Sequence, residues 1–216
     1  MPEPCFYTNY VDVCRRVFVS FWILLLSVPV LAAGKPVLAC FGDSITAGYG
    51  LQPDQAWPAA LQRKLDRGGY RYEVNNQGTS GATTKDAVAN VRAVLGLHPQ
   101  LVIVEFGGND GLRGLPLEQT RRNLDSVLTT LESAHIKILL AGITLPPNYG
   151  SDYIQAFEAI FKDLAQKHHI AFVPMIYKDL VRAPNSIQAD GIHPTAQGSE
   201  IIADTLFAAL KPLLRK

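Results

Sequence analysis

Short apolar runs alternate along the chain with longer stretches in which apolar residues recur every three or four positions. The runs at 101–104 and 138–141 are continuously apolar, which is typical of strands covered on both faces. The stretches between the runs have the spacing of amphipathic helices. This pattern predicts strands at residues 37–41, 72–75, 101–106 and 137–143, and a weaker strand at 171–175.

Five amphipathic helices are predicted between and after these strands. The first carries Trp57, Leu61 and Leu65 at four-residue spacing, with Pro58 tolerated in its first turn. The second follows Thr83, which begins a capping signature. The other three have their apolar positions within 124–131, 154–164 and 201–210. We interpret all five apolar stripes as core-facing, with no cofactor contact among them.

Alternating strands and helices predict an α/β fold, because connections of helical length join parallel neighbours. We expect a three-layer α/β/α sandwich of the flavodoxin-like type, with a mainly parallel five-stranded sheet. Polar, glycine-rich segments at 42–44, 78–81 and 107–110 each follow a predicted strand. Ligand sites in such sheets form beyond the carboxyl ends of the strands. The three segments should therefore meet at one edge of the sheet.

The first 33 residues differ from the rest of the chain. Arg15 and Arg16 precede an apolar run at 17–31, which ends in Ala32 and Ala33. A basic flank, an apolar stretch and small residues are the three parts of a secretory signal peptide. The run is shorter than the roughly 20 residues of a spanning helix, so cleavage is favoured over an uncleaved anchor. We predict a signal peptide at 1–33, a domain at 34–216, and a periplasmic or secreted protein with no membrane span after cleavage.

Composition narrows the classes of partner. The 216 residues are 48% hydrophobic and 18% charged, with a formal net charge of +1, as expected for one globular domain. No cluster of Lys and Arg offers the positive surface that nucleic acid requires, so we expect no nucleic-acid partner. We also expect a monomer. Beyond the leader the only cysteine is Cys40, which we interpret as a buried strand residue; a lipidated Cys40 is the alternative.

Candidate chemistry begins with Ser44, because serine is a weak nucleophile until a base removes its proton. His193 follows the last predicted strand and lies three residues after Asp190, so a turn can bring carboxylate and imidazole together. An ordinary turn at the entry to a helix is the alternative reading of this pair. The other four histidines end helical stretches, where capping or surface positions are expected: His98, His135, His168 and His169.

Ester cleavage also needs hydrogen-bond donors aimed at the developing oxyanion. Gly81 can supply an unobstructed backbone N–H, Asn109 a side-chain amide, and Ser44 its own N–H. Taken alone, an asparagine after two glycines is a common turn residue. The joint occurrence of nucleophile, donors and base at one sheet edge favours catalysis.

Four segments of the chain resemble, in order, the four sequence blocks of the SGNH hydrolases, also called GDSL esterases. They are 42–45, 80–84, 107–110 and 190–194, and the resemblance extends over residues 36–212. It implies a catalytic triad of Ser44, His193 and Asp190, and an oxyanion hole made by Ser44, Gly81 and Asn109. The sequence departs from the family's name at Ile45, where leucine is usual, which should be neutral for packing.

Segments 107–116 and 145–150 are similar to those of the family's esterase, thioesterase and lysophospholipase members. The resemblance therefore implies cleavage of acyl esters and thioesters through an acyl-enzyme, without metal or cofactor. An apolar substrate groove is expected, with these residues in contact with substrate: Leu112, Leu145, Pro146, Pro147 and Tyr149. A carbohydrate acetyl esterase is the alternative within the family, and a non-catalytic lipid-binding envelope protein is the alternative outside the enzymes.

Overall fold

The structure, a computed structural model, describes Met1 and residues 34–216. The predicted signal peptide therefore lies outside the described residues apart from Met1. Residues 34–216 form one sheet of five parallel strands in the order β2-β1-β3-β4-β5, so the predicted α/β fold and its five-stranded sheet are confirmed. The strands are β1 (Val37–Gly42), β2 (Glu73–Gly78), β3 (Leu101–Glu105), β4 (Lys137–Ala141) and β5 (Ala171–Val173).

Seven α-helices and three short 3₁₀ turns connect the strands within the described part of the chain. The α-helices are α1 (Ser44–Ala47), α2 (Trp57–Arg67), α3 (Thr84–Leu95), α4 (Gly108–Leu112), α5 (Leu117–Ser133), α6 (Ser151–Lys167) and α7 (Ala196–Leu210). The 3₁₀ turns are Pro53–Gln55, Pro147–Tyr149 and Leu180–Arg182.

The helices form two layers around the sheet. Helices α2 and α7 pack against each other in one layer, whereas α5 packs against both α3 and α6 in the other. Strand β3 lies in the middle of the sheet and all five of its residues are buried, which explains its continuous apolar pattern. Within residues 34–216, no helix is both long and apolar enough to span a lipid bilayer.

The predicted cap of α3 is confirmed. The Thr83 backbone N–H donates to Asp86 Oδ2 at 2.8 Å, and the two residues form a capping box. The Thr83 side chain in return accepts from the backbone of the helix's first turn. The cap satisfies N–H groups that would otherwise lack intrahelical partners, and it fixes where the chain turns from the segment after β2 into α3.

The edge strands differ from the predicted ones. Strand β2 begins and ends later than predicted, at Glu73–Gly78, because it pairs with β1 alone and its polar side chains give no apolar signal. Strand β5 stops at Val173 instead of 175, since Pro174 has no N–H to donate to a neighbouring strand. Strand β4 ends at Ala141, and the chain beyond it turns at Gly142, whose N–H donates to Val173 O at 2.8 Å.

Two glycines allow α1 to lie directly against the sheet. A Cβ on Gly42 would lie 2.1 Å from Thr46 Oγ1, and a Cβ on Gly78 would lie 2.1 Å from the backbone N of Ala47. The contact at Gly78 is the more restrictive one, because backbone atoms cannot swing aside as a side chain can. The end of α1 is therefore held against β2 by a contact that tolerates no side chain.

We predict that Gly78→Ala destabilises the protein and displaces α1. Overpacking against backbone costs about 1–3 kcal/mol in the free energy of unfolding, and activity should fall with it. Gly69→Ala is the matched control, since Gly69 also lies outside the helices but a Cβ there meets open space. Its left-handed backbone (φ +74°) should cost about 1–2 kcal/mol without loss of kcat. Equal kcat values in the two variants, measured beside urea denaturation, would contradict the role given to Gly78.

Candidate active site

A cavity of about 380 Å³ opens at the carboxyl edge of the sheet. The segments after β1, β2 and β3 line it, as does the segment before α7. The predicted convergence of the glycine-rich loops is thus observed in the fold. The sequence-predicted site residues in the cavity wall are Ser44, Gly81, Asn109, Leu112, Leu145, Pro146, Pro147 and His193.

Ser44 is the first residue of α1, and Asp43 alone separates it from the end of β1. The Asp43 side chain caps this helix, because its Oδ1 accepts the N–H of Ile45 at 3.0 Å. The cap holds the helix start rigidly at the end of the strand. The Ser44 hydroxyl is consequently presented at the sheet edge, where a partner from the distant end of the chain can reach it.

That partner is His193. Its Nε2 lies 2.8 Å from Ser44 Oγ, and its Nδ1 lies 2.6 Å from Asp190 Oδ2. Asp190 Oδ1 also accepts the backbone N–H groups of Ile192 and His193, at 2.9 and 3.0 Å. The turn foreseen from the sequence therefore forms, and it presents the carboxylate to the imidazole in the same place. Asp190 stands behind His193, outside the cavity wall.

The charge on Asp190 is favoured by this geometry. Partial burial by itself would raise the pKa of the Asp190 carboxyl, but the hydrogen bonds from Ile192 and His193 outweigh it and lower the pKa to about 2. The carboxylate is thus ionised at neutral pH. An ionised partner at Nδ1 keeps a proton on that nitrogen and leaves Nε2 free to accept one.

Two tyrosines support the histidine. The ring of Tyr49 lies over the imidazole of His193, with ring centroids 4.6 Å apart. The Tyr177 hydroxyl donates to Ile192 O at 2.9 Å and so ties the histidine segment to the chain that follows β5. Neither tyrosine was predicted to belong to the site, because nothing in their sequence neighbourhood distinguishes them from core or surface aromatics.

The backbone N–H groups of Ser44 and Gly81 are free to bind a ligand atom. Within residues 34–216, neither Ser44 N–H nor Gly81 N–H donates a hydrogen bond to the protein. Gly81 has φ +80°, a left-handed conformation that glycine adopts readily, and Arg113 holds its carbonyl at 2.9 Å. Both unoccupied donors belong to residues that line the cavity.

The Asn109 amide is fixed by two acceptors. Its Nδ2 donates to Ala82 O at 2.9 Å and to Asp43 Oδ2 at 3.2 Å. The following residue, Asp110, anchors the same loop, since it accepts from the N–H and hydroxyl of Thr84. The longer bond, to Asp43, is the one that a group bound in the cavity could share.

The apolar wall comes from two segments. Leu112 belongs to α4, while Leu145, Pro146 and Pro147 follow β4. Tyr149, the fifth residue expected to contact substrate, is not in the wall. Its hydroxyl donates to Leu112 O at 2.7 Å, so it contacts the backbone of a residue that does line the cavity.

The histidines expected at helix ends divide into two kinds. His98, His135 and His169 have positive φ angles, which fits their positions just after helices. His168 also closes a helix, but its side chain is only 5% exposed, so a solvated position is wrong for it. Its ring nitrogens contact Asp125 and Glu132 of α5 at 2.6 and 2.7 Å. The two carboxylates lie seven residues apart on one face of α5. This spacing alone does not predict a contact with His168, because the sequence does not show which helix packs against α5.

No group of three or more His, Cys, Asp or Glu side chains within residues 34–216 is arranged to hold a metal ion. The polar groups at the cavity are instead one hydroxyl, one imidazole with its carboxylate, and amide N–H donors. A parallel α/β sheet that carries this set at its carboxyl edge has the arrangement of a serine hydrolase.

Comparison with known proteins identifies the family of the chain. The sequence profile of the GDSL-like lipase/acylhydrolase family matches residues 40–201. Esterase TesA of Pseudomonas aeruginosa is 38% identical over 201 residues, which are 93% of this chain and 100% of that protein. Thioesterase 1/protease 1/lysophospholipase L1 of Escherichia coli (strain K12) is 37% identical over 207 residues, which are 95% of this chain and 97% of that protein. A crystal structure of TesA has a TM-score of 0.79 at 40% identity and covers 82% of this chain and 99% of that chain.

The chain belongs to the GDSL-like lipase/acylhydrolase family. It is therefore an enzyme, a hydrolase of the ester-cleaving class. The family resemblance drawn from four short sequence blocks is confirmed.

We predict that Asp190→Asn weakens the fold in a pH-dependent manner. Asparagine keeps an acceptor oxygen for the two backbone N–H groups but removes the charge. A carboxylate whose pKa is lower in the folded than in the unfolded chain stabilises the fold at pH above its ordinary value of 3.8, and this contribution is lost as pH falls towards about 2.

Urea denaturation of both proteins at a series of pH values measures this effect. The variant should be the less stable protein near neutral pH, and the gap should narrow steadily below about pH 4. A gap of constant size down to the lowest pH would show that the charge of Asp190 is not involved.

Proposed function

We propose that the protein hydrolyses acyl esters and thioesters, with Ser44 as nucleophile, His193 as general base and Asp190 as the carboxylate that orients the base. The observation that carries the proposal is the continuous chain of contacts Ser44 Oγ–His193 Nε2 and His193 Nδ1–Asp190 Oδ2, at 2.8 and 2.6 Å. A hydroxyl in contact with an oriented imidazole is the arrangement by which serine becomes a nucleophile at neutral pH.

Acylation follows from this geometry. As Ser44 Oγ attacks the substrate carbonyl carbon, its proton passes to His193 Nε2, and the carbonyl oxygen takes up negative charge. The imidazolium then gives the same proton to the leaving alcohol or thiol while the carbonyl re-forms. The acyl group remains on Ser44 as an ester.

Deacylation repeats these steps with water in place of the serine. His193 accepts a proton from the water as its oxygen attacks the acyl carbon, and it returns the proton to Ser44 Oγ when the acid leaves. Asp190 stays ionised throughout and stabilises the transient imidazolium. Tyr49, which covers the imidazole ring, limits the orientations that the ring can adopt between the two half-reactions.

The oxyanion that forms in each half-reaction needs donors. The free N–H groups of Ser44 and Gly81 supply two, and the Asn109 amide supplies the third. The bond from the Asn109 amide to Asp43 is longer than its bond to Ala82 O. We therefore infer that the amide proton directed at Asp43 is the one that it shares with the oxyanion. Donors that are already in place require no reorganisation as the charge develops, and this is what makes them effective.

The substrate class is inferred from the wall of the cavity. Leu112, Leu145, Pro146 and Pro147 give an apolar surface that suits an acyl chain. Relatives that carry the names esterase, thioesterase and lysophospholipase support acyl esters, thioesters and lysophospholipids as substrates, with aryl esters as a convenient assay class. A carbohydrate acetyl esterase would require a polar groove, and the intact serine–histidine–aspartate chain disfavours a non-catalytic lipid-binding protein.

The cellular setting remains a proposal from the sequence. We propose that residues 1–33 act as a signal peptide and that a monomeric hydrolase domain, 34–216, works in the periplasm or outside the cell. Amino-terminal sequencing of the exported protein tests the cleavage site. Hydrolysis of p-nitrophenyl esters of graded length beside palmitoyl-CoA tests the substrate class.

We predict that Ser44→Ala lowers kcat by several orders of magnitude while the protein stays folded, because within residues 34–216 no other hydroxyl is bonded to His193. Phenylmethylsulfonyl fluoride should modify the parent protein at Ser44, which peptide mass spectrometry detects. Ser80→Ala is the matched control: Ser80 lines the same cavity, and that variant should still be labelled at Ser44. Near-normal turnover in Ser44→Ala would contradict the proposal that Ser44 is the nucleophile.

We further predict that Asn109→Ala lowers kcat about a hundred- to a thousandfold with little change in KM, because its amide interacts most strongly with the transition state. Asn109→Asp is nearly isosteric and directs a carboxylate at the oxyanion, so it should be at least as inactive. Asn90→Asp on the exposed face of α3 makes the same change away from the cavity and should retain kcat. An Asn109→Asp enzyme with most of its kcat would show that this residue only shapes the turn.

A further inference from the structure

Two carboxyl groups are buried together next to Ser44. Asp43 joins β1 to α1, and Glu105 is the last residue of the central strand β3; both side chains are 1% exposed. The two residues are joined through the backbone, where Asp43 N–H donates to Glu105 O at 3.2 Å, and their carboxyl groups are close enough to shift each other's pKa. Glu105 is the one charged residue of a strand that is otherwise apolar, and the mechanism proposed above does not use it.

The hydrogen bonds are distributed unequally over the pair. Asp43 accepts at both oxygens, from Ile45 N–H and from the Asn109 amide, at 3.0 and 3.2 Å. Glu105 Oε2 accepts from the Thr46 hydroxyl at 2.7 Å. Glu105 Oε1 is fully buried, and among the described residues it has no donor. An unpartnered oxygen is costly for a buried carboxylate, whereas an acid O–H at that position has an acceptor in Asp43.

The charge around the pair favours a retained proton. Burial raises the pKa of the Glu105 carboxyl well above its ordinary value, and the neighbouring Asp43 raises it further. Burial also raises the pKa of Asp43, and the charge of Asp110 acts in the same direction against the lowering effects of Ile45 and His193. Two adjacent buried carboxyls cannot both ionise without a compensating cation, so one proton stays on the pair. Asp43 takes the charge, because both of its oxygens accept hydrogen bonds from the protein whereas only one oxygen of Glu105 does.

We propose that Glu105 is a positioning residue that carries a proton on Oε1 and donates it to the Asp43 carboxylate, which in turn holds the Asn109 amide in the oxyanion hole. The proposal rests on the esterase mechanism proposed above for its link to kcat, but the protonation of Glu105 can be tested without it. Thr46, by donating to Oε2, fixes the other end of the Glu105 carboxyl and so fixes the direction of the donated proton.

A neutral Glu105 assists the reaction in two ways. It occupies part of the acceptor capacity of Asp43, so that the proton of Asn109 is easier to share with the developing oxyanion. It also keeps a second negative charge away from that oxyanion. An ionised Glu105 would do the reverse, because two carboxylates beside the oxyanion hole would both oppose the charge that develops there.

Substitutions of similar size distinguish the effect of a proton donated by Glu105 from the effect of a negative charge on it. Glu105→Gln keeps an acceptor for Thr46 and an N–H donor for Asp43, and it should retain most of kcat. Glu105→Leu keeps the volume but has no donor, and the loosened Asn109 should cost about ten- to a hundredfold in kcat with KM nearly unchanged. The same loss in Glu105→Gln as in Glu105→Leu would overturn the proposal, because the negative charge would then be what matters. Full kcat in a folded Glu105→Leu would also overturn it, by reducing Glu105 to a structural role.

Infrared spectroscopy reads the proton directly, even if Glu105→Leu fails to fold. The parent protein at neutral pH should show the C=O stretch of a protonated carboxylic acid, and Glu105→Gln should lack it. Glu132→Gln, which alters a carboxyl beside His168 far along the chain, should keep the band. Absence of the band from the parent, or its survival in Glu105→Gln, would overturn the proposal. Because Ser44→Ala should keep the band while losing turnover, failure of the serine mechanism and failure of this proposal give different results.

Discussion

The hydrogen bond between Ser44 and His193 joins residues 149 positions apart in the chain. Nearly every strand and helix of the domain lies between them, so the site exists only when the whole sheet is assembled. Ser44 is held by regular structure, since β1 ends one residue before the cap of α1. His193 lies in a segment without regular strands, and its position depends on a few individual bonds.

Those bonds tie the histidine segment to the serine loop and to itself. Gln188 N–H donates to His193 O at 2.8 Å, while the Gln188 side chain donates to the carbonyls of Tyr49 and Pro194. Tyr177 holds Ile192 from the other side. The base is therefore positioned partly by the loop that carries the nucleophile. A disturbance of this segment should misplace the base before it destabilises the sheet, because the sheet itself does not rely on these contacts.

The regular core of the sheet followed directly from the sequence, and its edges did not. The buried strands β1 and β3 can be recognised in the sequence because apolar residues are required on both faces of a central strand. Strand β2 carries Asn75, Asn76 and Gln77, and only its backbone pairing with β1 makes it a strand. Prediction from the hydrophobic pattern depends on side chains, so it misplaces a strand that is defined by main-chain hydrogen bonds.

The site shows the same division. The nucleophile, base and donors are polar residues in glycine-rich loops after strands, and that placement is visible in the sequence. Glu105 was overlooked because it looks like the polar end of a strand, although a charge at the end of a fully buried strand is itself a signal. Tyr149 was expected beside the other wall residues, but its hydroxyl bonds to Leu112 O, a contact that no sequence pattern contains.

The chemistry and the substrate wall are built on different parts of the fold. The reacting groups follow β1, β2 and β3 or precede α7, whereas most of the apolar wall follows β4. That wall segment is tied down separately, by the Thr144 hydroxyl on Glu158 of α6 at 2.5 Å and by Tyr149 on Leu112 O. Neither bond involves the serine, the histidine or the donors of the oxyanion hole. The wall can therefore change its shape, and with it the acyl group that fits, while the distance between Ser44 and His193 stays as it is.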